Sequence, residues 1–401
     1  MFEEATSIII MEAIDIKRKI SALWKDTFHE SEAYINLIFD QYFDPSWVEF
    51  ESDGPEIIGA LLGIPYEFGG TEGRIRGLYL CGLATKPKRR SEGVMTRLLD
   101  RINEKARNAG FAFTFLIPRT ERLVRYFAYH GYVKAFYRCQ ENYTSLHSFK
   151  DEFEVMLDQQ KDKVADLKRR YYTTIHGCVV DEATAPEEME QILTFLESQE
   201  AGEGDMELMH TKTDFRHAVN LVKVRGGHVY YAKTSQGTVT AVAFTSLVDR
   251  SRVDIERLYS ADQCSTYRLL DYIKHAEPDA GIRVYVNPVR SEFRNLAEVH
   301  GMARILNLSE ILKFQANWLR DLKYSILVNE RSGQVERYDI RNGNMKHRSI
   351  EVGSEEYDPT KTVISLRDMS SVLFRRPDTG SLITEAFGMP SVGGYISLLP
   401  E

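Results

Sequence analysis

One passage of this chain limits its fold more than any other. An apolar run over residues 77–85 enters a charged turn, and the turn opens an amphipathic helix. The turn reads Lys86-Pro87-Lys88-Arg89-Arg90-Ser91-Glu92-Gly93. Beyond it Val94, Leu98, Leu99, Ile102 and Ala106 form one face, and Arg97, Arg101, Glu104 and Arg107 the other. That spacing predicts a half-buried helix over residues 94–108, stopped by Gly110. So much positive charge at one turn stands out in a chain of net charge -8.

The flanking sequence supplies the layers. Ile14, Ile16, Ile20, Leu23, Trp24 and Phe28 recur at near-helical spacing, which predicts a helix over residues 11–28. Ser31 with Tyr34, Ile35, Ile38, Phe39 and Tyr42 predicts a second, ended by Pro45. Residues 57–66, 77–85, 111–117 and 132–137 read as strands, and 123–130 as a short helix. A glycine- and proline-free charged stretch over 150–170 reads as a solvated connecting helix. A coarse copy of the pattern follows: strands at 229–233, 239–248 and 253–260, a helix at 265–275 and a strand at 284–286. From 305 onward the pattern changes to a helix near 309–319, short strands at 324–329 and 336–339, a run at 363–374 and an apolar end at 394–400. The expected fold class is α/β (α+β), in units over residues 1–150, 151–304 and 305–401.

Composition narrows the function classes. At 401 residues the chain suits two or three domains. No apolar run approaches the roughly 18 residues that cross a bilayer, and Glu3 and Glu4 stand where a signal peptide would be basic. Cys81, Cys139, Cys178 and Cys264 lie far apart, so neither a disulfide framework nor a zinc site is expected, and no His/Cys/Asp cluster has ligand spacing. These features point to a cytoplasmic protein with no metal, no membrane and no nucleic acid among its partners, and the acidic balance favours a cationic small molecule.

The first N–H groups of a helix lack internal partners and carry the positive end of its dipole. A basic turn feeding a helix is therefore an anion site, with Arg89 and Arg90 adding charge and Gly93 allowing close approach. Charge runs are more often solvated surface. The glycine at the helix entrance and the strand–loop–helix setting favour phosphate here. The sequence holds neither GxxxxGK[ST] nor GxGxxG at this place.

Arg90-Ser91-Glu92-Gly93-Val94-Met95 resembles the R/Q-x-x-G-x-G/A signature of the GNAT superfamily of acyl-CoA-dependent N-acetyltransferases, with Met95 a departure at the last position. The element order and the stretch Tyr126-Phe127-Ala128-Tyr129-His130-Gly131-Tyr132 are similar to that family over the first ~140 residues. The resemblance implies acetyl-CoA as co-substrate. Leu83, Ala84 and Thr85 would pair with its pantetheine arm, and Arg89, Arg90, Ser91, Glu92, Gly93, Val94 and Met95 would hold its pyrophosphate. The tandem pattern followed by a small α/β unit resembles the Eis-type acetyltransferases: a catalytic GNAT domain, a degenerate one and a sterol-carrier-like domain. The second unit has no Arg-x-x-Gly at the matching place; Ser260-Ala261-Asp262-Gln263-Cys264 is acidic, so no second coenzyme site is expected.

An alkyl ammonium with a pKa near ~10.4 costs roughly 4–5 kcal/mol to neutralise at pH 7. Transfer to it needs a base for the amine and an acid for the leaving thiolate. The Eis-type resemblance implies Tyr132 as acid, with Tyr129 the runner-up, and the terminal carboxylate, here on Glu401, as base. It also implies Asp26 as an acceptor contact walled by Trp24, Phe28 and Tyr34, and a homo-oligomer, hexameric in the relatives. On the residues alone, Tyr132 reads more readily as a core aromatic than as an acid, and Asp26 slightly more readily as a solvated helix carboxylate than as an acceptor contact. A competing class is a binding protein with a vestigial coenzyme site.

Overall fold

The computed structural model describes residues 2–70, 73–149, 185–200, 206–234, 236–249, 251–292, 294–315, 323–331, 334–354, 357, 362–375 and 394–400. The expected connecting helix over 150–170 lies outside them.

The chain opens with two helices, α1 (Phe2–Phe28) and α2 (Glu32–Tyr42). Ser31 caps α2 by accepting from the Tyr34 amide at 3.2 Å. Three antiparallel strands follow: β1 (Val48–Asp53), β2 (Glu56–Gly70) and β3 (Gly73–Thr85). Helix α3 (Val94–Asn108) has the bounds its periodicity predicts. It crosses to β4 (Phe113–Leu116), parallel to β3, and α4 (Glu121–Tyr129) leads to β5 (Val133–Tyr143). Strand β1 is not visible as an apolar run because its outward residues are acidic. Glu51 binds Arg97 and Glu49 binds Arg101 on α3, so the helix face that reads as solvated is partly occupied by the strand.

The second unit contains α5 (Pro186–Glu200), β6 (Glu207–Met209), α6 (Lys212–Val224), β7 (His228–Lys233), β8 (Val239–Asp249), β9 (Arg252–Ser260), α7 (Gln263–Ala276) and β10 (Gly281–Val286). It repeats the antiparallel triplet and the helical crossover to a parallel strand. Strand β11 (Glu298–Ile305) then returns to the first unit and inserts between β4 and β5. The unit boundary read at residue 304 falls within this strand, whose ladder partners all belong to the first unit. Strand β5 pairs with β11 along its first half and with β10 along its second, so one sheet runs β1-β2-β3-β4-β11-β5-β10-β9-β8-β7.

Helix α8 (Leu308–Gln315) precedes a separate four-stranded sheet of β12 (Lys323–Arg331), β13 (Gln334–Arg341), β14 (Asn344–Glu351) and β15 (Val363–Ser365), backed by α9 (Leu366–Leu373). The mixed α/β class is as expected.

The end of the chain leaves that sheet and threads between the first two units. The Gly394 amide donates to Ala135 O and its carbonyl accepts from the Tyr137 amide, each at 3.1 Å. Tyr395 exchanges backbone bonds with Met206 and Leu208. The carbonyl of Ser397 lies 3.1 Å from His210 Nε2, and His210 Nδ1 lies 3.1 Å from Glu200 Oε1. Tyr395, Ile396 and Leu399 are buried, which turns an otherwise free terminus into part of the core.

Candidate active site

Strands β3 and β4 pair over only three rungs, Gly77–Phe113, Leu78–Thr114 and Tyr79–Phe115. Past the last rung β3 continues to Thr85 while β4 ends at Leu116, so the two strands part. On its other edge β3 stays bound to β2, with a bulge between Ala60 and Leu62. Gly82 takes φ 59° there, and a Cβ on it would overlap the Trp24 ring, so the indole lies flush on the bulge. Leu83, Ala84 and Thr85 form the β3 arm of this opening.

The charged turn lies at the open end. Pro87–Arg89 forms a 3-10 turn, and Ser91 and Gly93 both take left-handed backbone, at φ 67° and 76°. Helix α3 starts at Val94 with no side-chain cap and no acidic residue in its first turn. Left-handed residues before an uncapped helix start present backbone N–H groups to a common point, an anion cradle. The cations divide in two. Lys86 pairs with Glu56, and Arg89 pairs with Asp53 and, at 2.8 Å, with Glu92. Lys88 and Arg90 have no carboxylate partner among the described residues; Arg90 Nε reaches only Thr85 O at 3.4 Å. Arg97 Nη1 donates to Glu92 O at 2.9 Å and stands over Gly93. Val94 seats against Gly59 of β2, where a side chain would collide with it, and this lets the helix entrance settle on the sheet. Met95 packs against the cluster beneath α3, as do Leu83, Val124 and Tyr126, so its bulk is turned into the core.

Tyr132 lies inside that cluster. It is 1% exposed, edge-on to Phe127, and its hydroxyl is 3.1 Å from Thr114 Oγ1 and 3.4 Å from Asn103 Oδ1. Thr114 Oγ1 in turn donates to Asn103 Oδ1 at 2.6 Å. Burial raises the tyrosine hydroxyl above its ordinary range, so at neutral pH it holds its proton. The Asn103 Nδ2 group beside it is buried with no partner among the described residues. Tyr129 is 84% exposed on the outer side of α4 and is not brought to this place.

Trp24, Phe28 and Tyr34 come together with Phe39 on the opposite face of the sheet. Trp24 Nε1 is buried without a partner among the described residues. Tyr34 accepts from Arg225 at 2.9 Å, and burial pushes its hydroxyl up to about 12. Asp26 is elsewhere. Two positions along a helix turn it about 200° from Trp24, and it lines an outer cavity of about 270 Å³ with Lys19, Leu23, Glu56 and Lys86. The expected acceptor set is therefore split, because Asp26 and the aromatic walls face opposite sides of α1. Glu401 lies outside the described residues. Its neighbour Pro400 accepts from the Tyr79 hydroxyl at 3.1 Å. Tyr79 belongs to the last β3–β4 rung, a placement no sequence signal reveals, since the two residues are 321 positions apart.

Residues 14–132 match the family model described as an acetyltransferase (GNAT) domain. The first unit is a GNAT domain. In the general sense that such a domain carries, the protein is an acyl-CoA-dependent acetyltransferase. No curated protein matches the sequence. Among solved structures, a GCN5-related N-acetyltransferase from Kribbella flavida is similar at TM-score 0.64 and 12% identity, covering 94% of each chain. A probable N-acyltransferase from Enterococcus faecalis gives 0.67 and 11%, covering 95% of this chain and 96% of that one. Eis1 from Mycobacterium abscessus gives 0.59 and 10%, covering 93% and 90%. At these identities the likeness is one of fold, and it extends over the tandem units and the C-terminal sheet. Among the described residues no group of His, Cys, Asp or Glu is arranged to hold a metal, and no helix is long and apolar enough to cross a membrane.

Proposed function

We propose that this GNAT protein transfers an acetyl group from acetyl-CoA to a primary amine of a cationic small molecule or a lysine side chain. The observation that carries the reading is the uncapped, left-handed entrance of α3 at the open end of the β3–β4 wedge. There the N–H groups of Gly93, Val94 and Met95, with Arg90 and Lys88, would hold the pyrophosphate. The pantetheine arm would run along Leu83, Ala84 and Thr85.

Two groups would serve the point where the strands part. Tyr132 approaches through Thr114 from the α3 face. The end of the chain approaches from the α1–α2 face, fixed by the Tyr79–Pro400 bond. Thr114 and Tyr79 occupy adjoining rungs. In the proposed reaction the amine loses a proton to the terminal carboxylate, directly or through water. The C–N bond forms as the C–S bond breaks, and the thiolate takes a proton from Tyr132. Trp24, Phe28 and Tyr34 would flank the amine. Asp26, which lines the outer cavity beside the Glu56–Lys86 pair, would meet a remote cationic group of the acceptor. The Eis-type, sterol-carrier-like reading of residues 305–401, the cytoplasmic setting and the homo-oligomer belong to the same proposal.

The test is free-thiol release from acetyl-CoA across polyamines, aminoglycosides and lysine peptides. Activity on one class is expected. Removing Pro400 and Glu401 should leave acetyl-CoA affinity unchanged and lower turnover at least tenfold; full activity in the truncated chain would eliminate the terminal carboxylate as base. Tight acetyl-CoA binding with no turnover on any amine would leave the binding-protein reading in its place.

A further inference from the structure

A second cavity, of about 110 Å³, lies between the two units, away from the α3 entrance. Its walls are the tail residues 395–399, α6 through Leu221, Val222 and Arg225, and the strand residues Arg138, Ser246, Glu256, Tyr285 and His300. The space is several times what one water needs.

The charges in it are unbalanced in a specific way. The Arg138 guanidinium lies 3.9 Å from the centroid of the Tyr285 ring, and it has no hydrogen-bond acceptor or carboxylate partner among the described residues. A guanidinium stacked on a ring without an acceptor keeps its N–H donors available to an anion in the cavity. Arg225, at another wall, already donates to Tyr34 and stacks on its ring. Burial, with Arg138 beside it, holds the His300 imidazole down at about 3, so that ring is neutral at physiological pH. Glu256 supplies the one carboxylate of the lining, and its Oε1 accepts from Ser246 Oγ at 3.3 Å. A planar fork seeking an anion and a carboxylate sharing one small space fit a molecule that carries both signs. A dianion such as phosphate would meet Glu256 at close range, and a bare amine would meet two guanidinium groups.

We propose that this cavity binds a small zwitterionic carboxylate, of the amino-acid class, with its carboxylate on Arg138 and its ammonium toward Glu256. The tail forms one wall of the cavity and ends at Pro400 against Tyr79, so an occupant would also brace the segment that reaches the wedge. The proposal stands without the acetyltransferase reading, because the site and its test involve no acetyl-CoA.

The experiment is calorimetric titration of the full chain with glycine and L-alanine, and separately with acetate, ethylamine and inorganic phosphate. Glycine or L-alanine should bind at least tenfold more tightly than acetate. Arg138→Gln should weaken that binding tenfold or more, with Arg138→Lys between the two. A far-UV spectrum and a melting temperature unchanged from the parent chain report that the variants are folded. Val222→Phe, which fills the cavity from the helix side, provides a second way to abolish binding while Arg138 stays in place. Several results would overturn the proposal: no heat with any amino acid, acetate binding as tightly as glycine, binding that survives Arg138→Gln, or preference for ethylamine or phosphate.

Discussion

The two units contain the same strand–turn–helix passage with opposite endings. In the first, β3 enters a turn whose Ser91 and Gly93 are left-handed, and α3 begins without a cap. In the second, β9 enters a turn whose Asp262 caps α7: its carboxylate accepts from the Ser265 amide at 2.7 Å and from Ser265 Oγ at 3.1 Å. An N-cap carboxylate takes the place an external anion would fill and neutralises the dipole end. The second unit therefore keeps the fold and closes the anion site with its own side chain. The lesson is that a helix start can be stable or receptive, and its cap, its backbone handedness and its charges together decide which.

The largest effect should come from making the first unit like the second. Gly93→Asp places a carboxylate at the entrance and forces a side chain onto backbone at φ 76°. Acetyl-CoA affinity should fall more than ~100-fold, the order of two charge-assisted bonds. Calorimetry on a variant that retains its far-UV spectrum checks this, and unchanged affinity would break the comparison.

A medium effect is expected at the first unit's β2–β3 bulge, where Gly82 lies under the Trp24 ring. Gly82→Ala would drive its methyl into the Trp24 ring on left-handed backbone. Stability should drop by about 1–3 kcal/mol. Urea unfolding measures it, and a neutral result would mean that the indole does not rest on Gly82.

The smallest effect is the reverse exchange. Asp262→Ala removes the α7 cap and should cost about 1 kcal/mol, read as a small fall in the urea midpoint. No second acetyl-CoA site should appear, because that turn lacks the left-handed pair and the free cations. A stoichiometry rising to two per chain would show that Asp262 alone had closed it.

Much of the first unit is legible in the sequence because its signals are local. The bounds of α3 follow from its apolar period, the Ser31 cap from residue type, and the receptive turn from charge beside Gly93. The acidic Asp262 turn also stands in the sequence and already argues against a second site. Strand β1 escapes because Glu49 and Glu51 hide its alternation, and the reason, pairing with Arg101 and Arg97, lies on another element. Asp26 and Trp24 read as one acceptor set, yet two helix positions turn them apart.

The sequence alone determined most of the first unit's elements, the charged turn and the kind of ligand its N–H groups favour, since these depend on residues within one or two turns of each other. Tertiary structure decided which strand completes the first sheet, where the tail runs and which tyrosine meets its end. Strand β11 reaches β4 and β5 from beyond the whole second unit, and Tyr79 meets Pro400 across nearly the full chain. Such contacts arise from the burial of apolar surface on both sides of the sheet, and burial leaves no periodic mark that ties one distant residue to another.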